Sequence, residues 1–275
     1  MSTPDIMTSG AIEQIARLVA IMQRLRGPDG CDWDRAQDFA SIAPYTLEEA
    51  YEVVDAIARH DLANLTEELG DLLLQVVFHA QIAAEAGQFD LSDVARSICE
   101  KMERRHPHVF GMPTVPMCAE EVAAYWETLK ATEKRRDSAL DDVALALPAL
   151  VRAQKLASRA ARTGFDWPDE DGPLAKIYEE LAELHAATTA TARAEEAGDL
   201  LFSVANYLRK LDIDPETALR SANDKFERRF RAIEKTPDFQ GLDLEAKEAL
   251  WQSVKLSFKG TETAPAPFQS GEPSR

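Results

Sequence analysis

The chain is poor in cysteine, glycine, proline and basic excess, and each shortage excludes something. Three cysteines, Cys31, Cys99 and Cys118, are an odd count without C-x-x-C spacing, so neither a disulfide framework nor a thiolate zinc site is expected. The 12 glycines and 14 prolines among 275 residues fall below the roughly 12% average share and favour helices over strand-and-turn folds. No run of about 18 apolar residues occurs, so no membrane span or membrane partner is expected. The start, MSTPDIMTSG, lacks the basic and apolar regions of a signal peptide, which gives a cytoplasmic expectation. Cations are outnumbered 31 to 48, a formal charge of −17. A surface of that sign repels polynucleotide backbones, so nucleic acid is excluded as a partner.

What is present is helical periodicity. Apolar residues recur at i, i+3, i+4 and i+7 with no convincing alternation, so the predicted fold is all-α. Asn64 stands before the run Leu65, Leu69, Leu72, Leu73, Val76, Val77, and Gly87 follows it, which reads as N-cap and C-terminal glycine. Asp214-Pro215 reads as a cap followed by proline at the first helical position. Residues 110–120 read as a Pro-broken connection, and the stretch from 259 is too poor in apolar residues to pack.

The chain also repeats itself. Gly30-Cys31-Asp32-Trp33 returns as Gly164-Phe165-Asp166-Trp167, and Glu48-Glu49-x-x-Glu52 as Glu179-Glu180-x-x-Glu183. Glu67-Glu68-Leu69-Gly70-Asp71 returns as Glu195-Glu196-Ala197-Gly198-Asp199, Lys101-Met102-Glu103-Arg104-Arg105 as Lys225-Phe226-Glu227-Arg228-Arg229, and Trp126-x-x-x-Lys130 as Trp251-x-x-x-Lys255. Five blocks in one order, offset by 124 to 134 residues, mark two copies of one helical unit. The organisation expected is a mobile N-terminus (1–10), a first repeat (11–130), a linker (131–146), a second repeat (147–258) and a mobile tail (259–275).

The repeated blocks carry the chemistry. Positions i and i+3 share a helix face with Cβ atoms about 5–6 Å apart, so Glu49/Glu52 and Glu68/Asp71 form acidic pairs, as do Glu180/Glu183 and Glu196/Asp199. If the two helices are antiparallel neighbours, each unit gathers four carboxylates. Such oxygen-only sets suit Mg²⁺ or Mn²⁺ rather than zinc. A solvated face is the commoner explanation of any one pair, and Thr46-Leu47-Glu48-Glu49 also scores as a capping box. The cap explanation fails for Glu180, which has no Ser or Thr three residues earlier. Gly70 and Gly198, each costing its helix about 1 kcal/mol relative to Ala, point to close approach of another backbone or a ligand.

Lys225, Arg228 and Arg229 supply cations on one helical turn, suited to phosphate oxygens. In isolation, pairing of Lys225 and Arg229 with nearby glutamates such as Glu227 or Glu234 is the better explanation. Trp251, alone, is more often core than a stacking platform. Other signals are weaker: Glu103-x-x-His106 has di-iron spacing, but Phe230 stands at the second copy's matching position. His60, His79 and His185 occur singly, and no Walker-type phosphate loop is present.

The paired E-x-x-E and E-x-x-D motifs, with QRLRGPDGCDWD, PYTLEEAYEVVDAI, EELGDLLLQVVFHAQ, ERRHPHVFG, SALDD and KFERRF, resemble the tandem-repeat, MazG-like members of the all-α nucleoside triphosphate pyrophosphohydrolases. The resemblance spans about residues 11–258. It implies two four-helix units completed in a homodimer, and hydrolysis of nucleoside triphosphates to monophosphate and pyrophosphate with Mg²⁺, or Mn²⁺, as cofactor. By position it implies metal ligation by Glu180, Glu183, Glu196 and Asp199, with Glu49, Glu52, Glu68 and Asp71 as first-repeat equivalents, and catalysis by Glu180 or Glu183. Nucleotide contacts implied are Lys176, Glu195, Asp199, Lys225, Arg228, Arg229, Trp251 and Lys255, with broad base specificity. Ala192-Arg193 departs from the pattern where similar proteins carry a lysine, so Arg193 takes over that role or one phosphate contact is lost. The rival expectation is a non-catalytic helical module that senses nucleotide or binds a protein.

Overall fold

The computed structural model describes residues 9–111, 125 and 137–258. The expectations for residues 1–8, for the connection beyond residue 111, for Trp126 and Lys130, for linker residues 131–136 and for the tail from 259 lie outside the described residues. Every regular element among the described residues is helical, and the fold is all-α. The chain divides into two compact units, residues 1–117 and 118–275.

The first unit contains α1 (Ser9–Arg26), α2 (Asp32–Ala36), α3 (Phe39–Ala58), α4 (Leu62–Glu85), α5 (Leu91–Arg105) and the short α6 (Pro107–Phe110). Helices α3 and α4 form the central hairpin, reversed at His60, whose φ of 54° places it in the left-handed turn conformation. Helix α1 packs along α4, and α5 also contacts α4. The buried core is Met22, Ile42, Val77, Phe78 and Ile82, flanked by Leu18, Val19, Leu74 and Leu91. Arg26 ties the connection after α1 to this frame. Its guanidinium pairs with Glu85 at 2.7 Å, donates to the Asp34 and Gln37 carbonyls and lies over the Phe78 ring.

The second unit contains α7 (Ala149–Ala161), α8 (Asp171–Ala186), α9 (Ala190–Lys210), α10 (Pro215–Ile233), a 3-10 turn (Phe239–Gly241) and α11 (Leu244–Phe258). Its hairpin is α8/α9, with α7 packed on α9, and α10 contacting both α7 and α11. The loop after α7 is held by opposite polarity from that in the first unit. Here the loop supplies the anion: Asp166 accepts from Arg209 at 2.7 Å and Lys210 at 3.3 Å, and Lys210 also donates to the Trp167 carbonyl at 2.6 Å. Gly172 is required beneath Trp167, because a Cβ there would lie 2.0 Å from the indole Cδ1.

Three local expectations change. Asn64 is not the cap of α4: Asp61 is, its side chain accepting from the Asn64 N–H at 3.1 Å. Asp61 and Asn64 are both cap-type residues three apart, and the backbone leaves the helix at the earlier one. Helix α3 begins at Phe39, capped by Asp38 with Ser41 closing a reciprocal box, so Thr46 is seven residues inside it and the capping-box explanation of Glu49 falls. Among the described residues neither Gly70 nor Gly198 is approached by another backbone, since a Cβ at either would meet nothing within 4 Å. The other end signals hold: Gly87 has φ of 64°, and Asp214 accepts from the Thr217 N–H at 2.7 Å ahead of Pro215.

Candidate active site

Both hairpins bring their acidic pairs together. In the first, carboxylate oxygens of Glu49, Glu68 and Asp71 lie within 4.8 Å of one another; in the second, those of Glu180, Glu183 and Glu196 do. The fourth members, Glu52 and Asp199, adjoin these triads. Glu52 and Glu68 lie close enough that burial and then Glu68 raise the Glu52 carboxyl, and Asp199 acts in the same way on Glu196. Burial and mutual repulsion raise the Glu49 carboxyl, with Asp71, Glu52 and Glu68 as the repelling neighbours. Burial, then Glu183, Glu180 and Asp199, act likewise on Glu196. Anions packed on facing helices raise the energy of the ionised state. Among the described residues neither triad includes a histidine or cysteine, so the donor chemistry is that of a hard, oxygen-preferring cation.

The two sites differ in what else touches them. Glu180 is only 4% exposed, and Lys176, one turn earlier on α8, pairs with it at 2.7 Å and with Glu179 at 2.9 Å. Those two carboxylates hold the Lys176 ammonium above the usual lysine range. At the equivalent register the first repeat has Tyr45, which meets Trp33 edge-to-face at 6.4 Å. Asn64 donates to Glu68 at 2.8 Å, fixing one carboxylate of the first cluster by a neutral amide instead of a cation. Sequence reasoning gave Asn64 to the helix end and missed this contact; its i, i+4 spacing from Glu68 was the available signal.

The predicted nucleotide contacts lie on several elements. Lys225 and Arg228 are exposed on α10 and make no ion pair among the described residues, whereas Arg231 takes Glu227 at 2.6 Å. The neighbouring-glutamate explanation thus fails for Lys225 among the described residues. Arg229, on the same turn, is 9% exposed. Trp251 on α11 packs against Phe226 of α10 at 5.3 Å, and Phe226 stacks on Phe230, so the indole is seated on α10 beside the cationic turn. Glu195 and Lys255 are exposed. Arg193 is tied through Nε to the Ala187 carbonyl at 3.1 Å, covering the C-terminal end of α8, and it makes no ion pair with Glu196 among the described residues. His106 ends α5 with Nδ1 2.6 Å from the Met102 carbonyl oxygen, and it belongs to neither carboxylate cluster.

Comparison with known proteins agrees with this duplication. Residues 37–110 match the model of the MazG nucleotide pyrophosphohydrolase domain, and residues 157–226 that of phosphoribosyl-ATP pyrophosphohydrolase. The chain is 50% identical over 258 residues to a nucleoside triphosphate pyrophosphohydrolase of Escherichia coli (strain K12), covering 89% of this chain and 98% of that protein. It is 46% identical over 234 residues to a nucleoside triphosphate pyrophosphohydrolase/pyrophosphatase MazG of Thermotoga maritima, covering 83% and 88% of the two chains. A nucleoside triphosphate pyrophosphohydrolase of Mycobacterium tuberculosis is 42% identical over 168 residues, 60% of this chain and 49% of that one.

Proposed function

The chain belongs to the MazG nucleotide pyrophosphohydrolase family, and we infer that it is a nucleoside triphosphate pyrophosphohydrolase, releasing pyrophosphate and a nucleoside monophosphate. The observation that carries the site is the Glu180, Glu183, Glu196 triad with Lys176 beside it. The second repeat is the catalytic one in this reading. It combines a carboxylate cluster with a lysine one turn away and, on α10, Lys225 and Arg228, which make no ion pair among the described residues.

Glu180, Glu183, Glu196 and Asp199 would hold the cation, Mg²⁺ with Mn²⁺ as substitute, and their oxygen-only donor set fits it. When bound, such an ion neutralises phosphate charge and acidifies a coordinated water. Lys176 presents a positive charge at the cluster rim, paired with Glu180. Glu183 is exposed and without an ion pair among the described residues, so it is the better placed of the two α8 carboxylates to take the proton from the attacking water. Lys225, Arg228 and Arg229 would receive the charge that develops on the departing pyrophosphate. Trp251, Glu195 and Lys255 would border the nucleoside; stacking on Trp251 tolerates any base, which supports broad specificity.

A homodimer belongs to the same reading. Tyr178 and Leu201 are 66% and 60% exposed on the α8/α9 hairpin, with Leu181 and Phe202 beside them. Apolar side chains on two packed helices support completion of the bundle by a second copy. No helix among the described residues is long and apolar enough to cross a membrane. The reaction is tested with ATP labelled in the β and γ phosphates and added Mg²⁺. Labelled pyrophosphate is expected; stepwise orthophosphate release overturns the assignment.

A further inference from the structure

Helix α7 of the second repeat carries three cations that no carboxylate among the described residues neutralises. Its sequence, ALVRAQKLASRAA, holds Arg152, Lys155 and Arg159 and no acidic residue. Anions are not scarce, since the chain has 48 acidic residues against 31 basic ones. In the same unit Lys176, Arg209, Lys210, Arg220 and Arg231 each take a carboxylate, whereas the α7 cations make no ion pair or hydrogen bond among the described residues. A solvated face does not account for them. Arg152 Nε and Arg159 Nη1 are closed off from water without a hydrogen-bond partner, although both residues keep part of their surface exposed. A guanidinium cannot shed its charge, and a buried charged donor without an acceptor is more costly than a neutral one.

The three residues form a row. Positions i, i+3 and i+7 share one side of a helix, and the rise per residue sets Arg152 and Arg159 about 10 Å apart along the axis, with Lys155 between them. The row lies across the helix from the buried Ala157, so it is not part of the core contact that Ala157 makes. It does not serve the carboxylate cluster either, where the paired cation is Lys176. What the row lacks is an anion with acceptor oxygens spread along its length. Arginine forks take phosphate oxygens two at a time and lysine adds a point charge. A single orthophosphate is compact beside a row of this length, whereas linked phosphoryl groups offer oxygens to all three side chains.

We propose that Arg152, Lys155 and Arg159 form a binding site for an oligophosphate, a chain of two or more phosphoryl groups, on the face of α7 opposite Ala157. The site is additional to the catalytic one, whose phosphate contacts in the reading above are Lys176, Lys225, Arg228 and Arg229. Two sources present the same chemistry: the inorganic pyrophosphate that the reaction releases, and the triphosphate tail of a second nucleotide. Either supplies acceptors to the two closed-off guanidinium nitrogens, and because the row exists only in the folded helix, binding stabilises the native chain.

The test uses the full chain carrying Lys225→Ala and Arg228→Ala, so that the α10 cations do not compete, in chelator, so that no divalent ion draws phosphate to the carboxylates. Calorimetric titration with inorganic tripolyphosphate should show one ion bound per chain, pyrophosphate binding less tightly and orthophosphate least. Adding Arg152→Gln and Arg159→Gln should weaken tripolyphosphate at least about tenfold, the equivalent of one lost hydrogen bond to a charged group. Arg152→Lys with Arg159→Lys, which keeps the charge, should recover part of that loss, an outcome that damaged folding does not produce. An α,β-methylene nucleoside triphosphate separates the sources: binding as tight as that of tripolyphosphate assigns the nucleotide tail, and binding of the inorganic ions alone assigns the product. No binding, equal binding by the glutamine variant, or orthophosphate binding as tightly as tripolyphosphate overturns the site. With α10 intact and Mg²⁺ added, Arg152→Gln with Arg159→Gln should keep the initial rate of pyrophosphate release. Loss of turnover would put these cations in the catalytic site and overturn a separate one, while release by the unmodified chain remains the test of the reaction itself.

Discussion

The two repeats bury different things. The first closes over Met22, Ile42, Val77, Phe78 and Ile82, an aliphatic and aromatic core. In the second the buried side chains include Ala157, Ala205 and Ile233 beside Glu180, Ser203, Asn206 and Arg229. Burying a charge costs several kcal/mol unless a partner compensates, and Lys176 is that partner for Glu180. The difference teaches that one helical plan can be filled for packing or for chemistry. The copy that spends buried positions on charged groups is the one with a lysine against its carboxylates, as expected where stability and function compete.

That contrast can be broken most directly at the acids. Glu183→Gln should lower pyrophosphate release by about 100-fold or more, the range expected for a lost general base, while Glu49→Gln leaves the rate unchanged. The reverse pattern would move catalysis to the first repeat. A subtler exchange is Lys176→Tyr, which gives the second site the residue found in the first. A loss of about 100-fold in kcat/KM is expected for removing one charge-stabilising donor, and an unimpaired variant would show that the lysine is not what separates the copies.

Stability offers a smaller contrast. Asp166→Ala strands Arg209 and Lys210, and Arg26→Ala strands Glu85. Each should cost about 1.5–3 kcal/mol in chemical denaturation, the range for hydrogen bonds to charged groups. Equal losses would show that opposite polarities anchor the two loops equally well. The smallest effect is expected in acid titration of the metal-free chain. Glu49, Glu52 and Glu196 have carboxyls raised from 4.5, so they bind a proton more tightly folded than unfolded. The stability they contribute is present below about pH 4.5 and lost as pH rises through their folded values. Melting temperature should therefore fall across that interval, and added Mg²⁺ should restore it at the higher pH.

Much of this was legible because it is local. Asp214-Pro215 and Gly87 punctuate helices through backbone geometry alone, and the i, i+3 spacing of the eight acids follows from 3.6 residues per turn. Thr46-Leu47-Glu48-Glu49 reads locally as a capping box, and the Asp38 cap at the actual start of α3 overrides it. Asp61 and Asn64 are both cap-type residues, and the backbone direction decides for Asp61. Asp166 with Arg209, 43 residues away, has no signal in spacing.

The sequence by itself determined the duplication, the helical content and the facing carboxylates, because repeats and helical periodicity are one-dimensional patterns. Only the tertiary structure decided which acid is buried, which α10 glutamate Arg231 pairs with, and which copy has a lysine against its cluster. Burial and pairing depend on what the other helix places opposite a side chain, and no spacing along one chain specifies that.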